Sequence, residues 1–156
     1  MQNIKLLVMD VDGTLTDGKI YIGSTCEVMK AFNVKDGYGI AQILPKLNIT
    51  PIIITGRSSD ITAFRANELG IAHVYQGVKN KIDKLKLLAE ELGVTAENIA
   101  YIGDDVNDLD CIDFCGLTAC PNDAVNEVLR LVDYICDAEG GNGAVREFID
   151  YIADLD

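Results

Sequence analysis

Six short apolar runs of strand length alternate with stretches patterned for helices, and this alternation limits the possible folds more than any other feature of the chain. The strand candidates are residues 4–11, 49–55, 71–75, 99–103 and 117–120, with a weaker run at 134–136. Amphipathic segments lie between them near residues 39–47, 59–69, 81–92, 108–114, 123–131 and 144–153. Gly70 and Gly93 follow two of these segments, where a left-handed residue commonly closes a helix. β and α units alternating at this length imply a parallel sheet covered by helices on both faces, an α/β architecture of Rossmann-like type. The 156 residues are 49 % hydrophobic and 24 % charged, the composition and size of one globular domain spanning 1–156.

One stretch breaks the alternation. Residues 19–23 and 27–34 read as two strands joined at Ser24-Thr25-Cys26, a hairpin inserted after the first strand at about 18–35. Tyr21, Ile22, Val28, Met29 and Phe32 give it apolar side chains that a lone hairpin cannot bury, which points to a subunit contact.

Charge narrows the partners. Thirteen basic against twenty-five acidic residues give a net charge of −12, which repels nucleic acid and anionic membranes. A phosphate site on such a chain must carry its own local positive charge. No apolar run approaches the ~20 residues that span a bilayer. The chain opens directly into a strand-like run without a signal-peptide pattern. Five cysteines, odd in number and without a C-x-x-C pair, read as reduced and mostly buried thiols. A cytoplasmic protein is the expectation. His73, the only histidine, reads as structural.

Ligands of open parallel sheets bind at the carboxyl ends of the strands. Three strand ends carry unusual chemistry: Asp10-Val11-Asp12-Gly13-Thr14, Thr55-Gly56-Arg57, and Gly103-Asp104-Asp105-Val106-Asn107-Asp108. A single aspartate after a strand is commonly a cap or turn residue. Five carboxylates at one edge repel one another, and such a set calls for a cation or shared protons. Oxygen donors alone favour a hard ion such as Mg²⁺. Asp10 and Asp12, one residue apart, point the same way on an extended strand. Such a pair can divide the work into ionised nucleophile and protonated acid. Gly13 lets backbone approach a phosphate, and Thr14 can cap or hydrogen-bond in the turn.

These residues resemble the haloacid dehalogenase superfamily of phosphohydrolases, whose four motifs occur in order between residues 8 and 108. The resemblance implies that Asp10 forms an aspartyl-phosphate, that Asp12 is the acid and base, that Thr55 holds the phosphoryl group, and that Lys81 supplies positive charge. Lys79 and Lys84 lie nearby, but the Asn80-Lys81 pair before a helix favours Lys81. Asp10, Asp104 and the Asp12 carbonyl would bind Mg²⁺, with Asp105 and Asp108 in support. The gaps between motifs hold too few residues for a cap domain. D-V-D-G-T-L-T-D-G, F-N-V-K-D-G-Y-G, I-I-T-G-R, Q-G-x-x-N-K, Y-I-G-D-D-x-x-D and G-G-x-G-A-V-R-E are similar to the capless 3-deoxy-D-manno-octulosonate 8-phosphate (KDO 8-phosphate) phosphatases. That group implies a phosphorylated sugar acid as substrate, a role in lipopolysaccharide precursor synthesis, and a homotetramer whose neighbours complete each site.

Gly56 and Arg57 follow the phosphate-binding Thr55, and Arg57 can form bidentate contacts to an anion. Arg65 and Arg146 are the other candidates for the sugar-acid end, Arg146 reaching a neighbour's site through Gly140-Gly141-Asn142-Gly143. At Asn142 the family often has a basic residue. Three rival readings remain: a phosphatase of a nine-carbon sugar acid 9-phosphate, a non-catalytic tetramerisation module, and a signalling receiver domain. The receiver is disfavoured because its acceptor aspartate ends the third strand, and no aspartate here occupies that place.

Overall fold

A computed structural model describes residues 3–155. In its first half the elements are β1 (Leu6–Met9), β2 (Tyr21–Ile22), β3 (Glu27–Met29), α1 (Val34–Tyr38), β4 (Thr50–Ile54), α2 (Asp60–Glu68) and β5 (His73–Tyr75). There follow α3 (Lys81–Leu92), β6 (Ile99–Ile102), α4 (Leu109–Phe114), β7 (Leu117–Cys120), α5 (Asn126–Leu129), β8 (Tyr134–Ile135) and α6 (Ala144–Asp154). Six strands form a parallel sheet in the order β5-β4-β1-β6-β7-β8, and β2 pairs antiparallel with β3 as a separate hairpin.

The chain leaves the central strand β1 through β4 and β5, then crosses back to β6 on the other side. Met9 therefore sits beside both Ile53 and Ile102, so three strand ends converge where the direction of winding reverses. Strand parity builds two cores. Leu7, Met9, Ile53 and Ile102 pack with Ile40, Leu44, Phe148 and Ile149 on one face. Leu6, Val8, Ile52, Ile54 and Tyr101 pack with Leu85, Leu88, Ile112 and Val128 on the other. Strands buried on both faces must be apolar throughout, which is why they read as continuous runs.

α3 shows how the sequence sets one helix. The Asn80 side chain accepts from Asp83 N at 3.2 Å, Leu85, Leu88 and Ala89 share the buried stripe, and Gly93 ends the helix at φ 65°. Lys81 is consequently the first helical residue, pointed at the strand ends.

The hairpin differs from its expected extent. β3 ends at Met29 instead of running to residue 34, because the Asn33 side chain accepts from Lys35 N at 2.8 Å and starts α1 at Val34. α1 then passes into a π-helical turn (Gly39–Ile43) and a 3₁₀ turn (Leu44–Leu47), so the helix expected over 39–47 begins earlier. Gly37 and Gly39 hid that start by lowering helix propensity. Both are packing residues: a Cβ on Gly37 would strike the Arg65 guanidinium, and one on Gly39 would lie 2.9 Å from Ile149 Cδ1. Ile22, Val28 and Met29 are exposed, whereas Phe32 packs against the core. The segment between Gly56 and Asn80 holds α2 and β5, with no room for a cap. All five cysteines are free, three of them buried and Cys26 exposed. Among the described residues no helix is long and apolar enough to cross a membrane.

Candidate active site

β1 ends at Met9, and the next side chain, Asp10, keeps the parity of Leu6 and Val8 and so faces α3. Lys81 Nζ donates to Asp10 Oδ1 at 2.8 Å and to Asp108 Oδ1 at 2.7 Å, with all three side chains buried. Asp108 is fully engaged. Its Oδ1 also accepts from the Tyr101 hydroxyl at 2.6 Å, and its Oδ2 accepts from the backbone N of Asp104 and Asp105 at 3.0 and 3.2 Å. Burial and the Asp108 charge push the Tyr101 phenol well above its ordinary range, so it stays a neutral donor. Burial works to neutralise Lys81, but the Asp10 and Asp108 charges outweigh it and hold the ammonium protonated.

Oxygens of Asp10, Asp104 and Asp108 lie within 4.8 Å of one another. Because Asp108 is spent on four hydrogen bonds, the open pair is Asp10 and Asp104. Burial first, then the Asp108 charge, push Asp10 up to about 6 against the pull of Lys81. Burial and the charges of Asp10 and Asp108 push Asp104 up to about 8. A crowded carboxylate pair of this kind takes either a proton or a cation, and an all-oxygen donor set fits Mg²⁺. Thr14 Oγ1 donates to Asp104 Oδ1 at 3.1 Å and fixes the second carboxylate. Gly13 sits at φ 93°, and any Cβ there would collide with the Asp104 carboxylate, so glycine is required on both counts.

Asp12 lies past the end of β1. The chain turns at Val11, whose carbonyl accepts from Thr14, Leu15 and Thr16 N at 3.2, 2.9 and 3.1 Å. Strand parity therefore does not extend to Asp12. Its side chain meets Lys30 and, at 3.8 Å, Arg57 Nε. The two carboxylates of the pair thus each have their own lysine.

Thr55 is buried directly after β4, its N donating to Tyr75 O at 2.9 Å. Gly56 is exposed, and a Cβ there would meet Val78 O and Asn107 Nδ2 at 3.8 and 3.9 Å, so space alone does not demand glycine. Asp105 is exposed and caps the following turn, accepting from Val106 N at 2.7 Å, outside the three-carboxylate cluster. Arg65 pairs with Glu68 at 3.2 Å and lies over Phe32; Arg146 pairs with Asp150 at 2.9 Å and lies over Tyr38. Neither arginine forms an ion pair with the strand-end carboxylates. The glycine run through which Arg146 is expected to reach a neighbour is anchored on its own chain: Gly141 N donates to Thr14 O at 3.1 Å, and Gly140 N to Asp123 Oδ1 at 2.9 Å.

Sequence reasoning missed Lys30, Glu27 and Tyr101. Lys30 and Glu27 arrive on the hairpin, where the only signal was a pair of charges inside an otherwise apolar segment. Tyr101 lies within the apolar run 99–103, where nothing singled it out. Burial opposes ionisation of Glu27, but hydrogen bonds from Lys30 and Ser59 and the charges of Lys30 and Arg57 hold its carboxyl below the usual range.

A buried aspartate after the central strand, a lysine on it, a second aspartate at a neighbouring strand end and no cap define a phosphohydrolase site of the haloacid dehalogenase type. Residues 27–149 match the haloacid dehalogenase-like hydrolase family, and the chain belongs to it. It is 45 % identical over 151 residues to the 3-deoxy-D-manno-octulosonate 8-phosphate phosphatase KdsC of Salmonella typhi, covering 97 % of this chain and 80 % of that one. A KDO 8-phosphate phosphatase from Moraxella catarrhalis, solved with magnesium, phosphate and KDO, aligns with a TM-score of 0.94 at 42 % identity over 98 % of this chain and 87 % of that one. The cobalt-bound Haemophilus influenzae phosphatase aligns with a TM-score of 0.94 at 39 % identity, over 98 % of this chain and 89 % of that one.

Proposed function

We propose that this chain is a Mg²⁺-dependent phosphatase that removes phosphate from KDO 8-phosphate through an aspartyl-phosphate on Asp10. The observation that carries the chemistry is Asp10 itself, held by Lys81 at 2.8 Å with the Asp104 carboxylate beside it. The substrate rests on the 45 % identity to a KDO 8-phosphate phosphatase over nearly the whole chain.

Asp10 attacks phosphorus, forming an O–P bond as the bond to the sugar oxygen breaks. Asp12 gives that oxygen its proton. In the second half Asp12 removes a proton from water, which attacks phosphorus and releases inorganic phosphate from Asp10. Lys81 offsets the charge of the phosphoryl oxygens, and the Thr55 hydroxyl donates to one of them. Mg²⁺ held by Asp10, Asp104 and the Asp12 carbonyl supplies further charge neutralisation there. Asp108 orients Lys81, and Asp105 shapes the turn that presents Asp104.

Arg57, exposed beside Asp12 and Glu27, would be the arginine that meets the sugar-acid carboxylate. Exposed Ile22, Val28 and Met29 support a homotetramer joined through hairpins, in which Arg65 and Arg146 would face neighbouring copies. One catalytic domain, a cytoplasmic setting and a step in lipopolysaccharide precursor synthesis complete the reading.

Phosphate release from eight- and nine-carbon sugar acid phosphates and from hexose phosphates, with Mg²⁺ and with EDTA, tests it. Preference for the eight-carbon substrate, lost in EDTA, is expected. Equal activity on hexose phosphates would remove the substrate assignment, and no release from any of them would remove the phosphatase reading.

A further inference from the structure

We propose that Lys30, brought in by the hairpin, is the positioning residue of Asp12, holding that carboxylate in place when Arg57 turns to the substrate. The inference rests on the reading of Asp12 as acid and base. Four side chains form a closed ring. Lys30 Nζ donates to Asp12 Oδ1 and, at 3.2 Å, to Glu27 Oε2. Arg57 Nη2 donates to the same Glu27 oxygen at 3.2 Å, and its Nε lies 3.8 Å from Asp12 Oδ2.

The two cations are not equivalent. The Lys30 side chain is 1 % exposed and that of Arg57 47 % exposed. An exposed ion pair is worth at most about 1 kcal/mol, so an anionic substrate can draw Arg57 away cheaply. With Arg57 drawn away, moving Lys30 as well would leave two shielded carboxylates facing each other without a cation, which costs far more. Substrate entry therefore strips Asp12 Oδ2 of its partner and leaves Oδ1 anchored, freeing one oxygen to serve the leaving group.

Lys30 is itself fixed. Glu27 Oε1 accepts from Ser59 Oγ at 3.0 Å, and Ser59, whose N donates to Gln76 Oε1 at 2.8 Å, caps α2. The hairpin is thus fastened to the strand-end side of the main sheet through Glu27, and its lysine does for Asp12 what Lys81 does for Asp10.

Lys30→Met keeps the apolar stem and removes the ammonium. On KDO 8-phosphate its kcat should fall about 100-fold or more, the scale of a lost general acid, with KM little changed. On p-nitrophenyl phosphate, whose leaving group needs no proton, a burst of one nitrophenolate per site should persist near the wild-type rate before a slow steady state. Lys30→Arg should recover part of kcat. Glu27→Gln, which loosens the lysine without removing it, should show a smaller fall of the same pattern and serves if Lys30→Met does not fold. Equal losses in the burst and on the sugar phosphate, a change in KM alone, or wild-type kcat in the variants would overturn the proposal. Failure of the wild-type protein to release phosphate would instead overturn the phosphatase reading.

Discussion

Lys81 stands between Asp10 and Asp108, 2.8 Å from one carboxylate and 2.7 Å from the other, and is the one cation hydrogen-bonded to this buried acidic cluster among the described residues. The lysine offsets the charge of Asp10 in a buried site, and in the proposed mechanism it also meets the substrate's phosphate. Lys81→Met should lower kcat/KM by about 10²–10³-fold, the scale of losing one charge-stabilising donor. It should also cost about 3 kcal/mol of stability at pH 8 in EDTA, because buried carboxylates lose their cation. That cost should shrink at pH 6, where protons replace it. Steady-state kinetics and urea unfolding at the two pH values check both parts.

Metal binding should be steeply pH-dependent. Without metal, Asp104 and Asp10 are held at about 8 and about 6, above the ordinary 3.8. Between about pH 4 and 8 the folded chain keeps protons that the unfolded chain has released, so metal-free stability falls as pH rises. A divalent ion must displace the Asp104 proton, so it binds more tightly at higher pH and releases protons. Tm with Mg²⁺ minus Tm with EDTA should be larger at pH 8 than at pH 6. An equal gap would count against the pair as the metal site.

Much of this site was legible in the sequence because its residues follow strands, and strands buried on both faces announce themselves as apolar runs. Asp10, Thr55 and Asp104 could be placed from that alone, and Lys81 from its Asn80 cap together with the family resemblance. Lys30 and Glu27 could not, since the packing of the hairpin against α2 decides that they arrive there. The partners of Asp12 were not legible either: β1 ends at Met9 and the chain turns on the Val11 carbonyl, so what Asp12 meets is decided by the hairpin and the Thr55-Gly56-Arg57 loop. Asn33 was concealed by the glycines behind it.

Asp36 offers a test of the packing between α1 and α6. It is 1 % exposed, its Oδ1 accepts from Arg146 N at 2.8 Å, and its Oδ2 and the nearby Arg65 Nε have no protein partner. Burial pushes its carboxyl up to about 6 despite that hydrogen bond and the two arginines. A raised acid contributes most at low pH and loses that contribution as pH rises from about 4 through 6. Asp36→Asn, which cannot ionise, should therefore gain about 2–3 kcal/mol relative to the unsubstituted chain between pH 4 and pH 8. Denaturant titrations at the two pH values measure the difference; a pH-independent offset would show that burial does not hold this carboxyl neutral.

The hairpin surface should prove to be an interface. Ile22, Val28 and Met29 are 74 %, 62 % and 50 % exposed, and burying what remains exposed would gain about 1–2 kcal/mol for each. Val28→Glu combined with Met29→Lys should lower the mass measured by light scattering and raise KM, since neighbours would no longer close the site. An unchanged mass would exclude the hairpin as the contact.

The most direct test of the account is to trap the phosphoryl group. Acid quench during turnover with phosphorus-labelled KDO 8-phosphate and Mg²⁺ should leave label on the peptide containing Asp10, labile to hydroxylamine as an acyl phosphate is. Asp10→Asn should abolish both the label and phosphate release. Label on another residue, or phosphate release surviving in Asp10→Asn, would contradict the covalent mechanism.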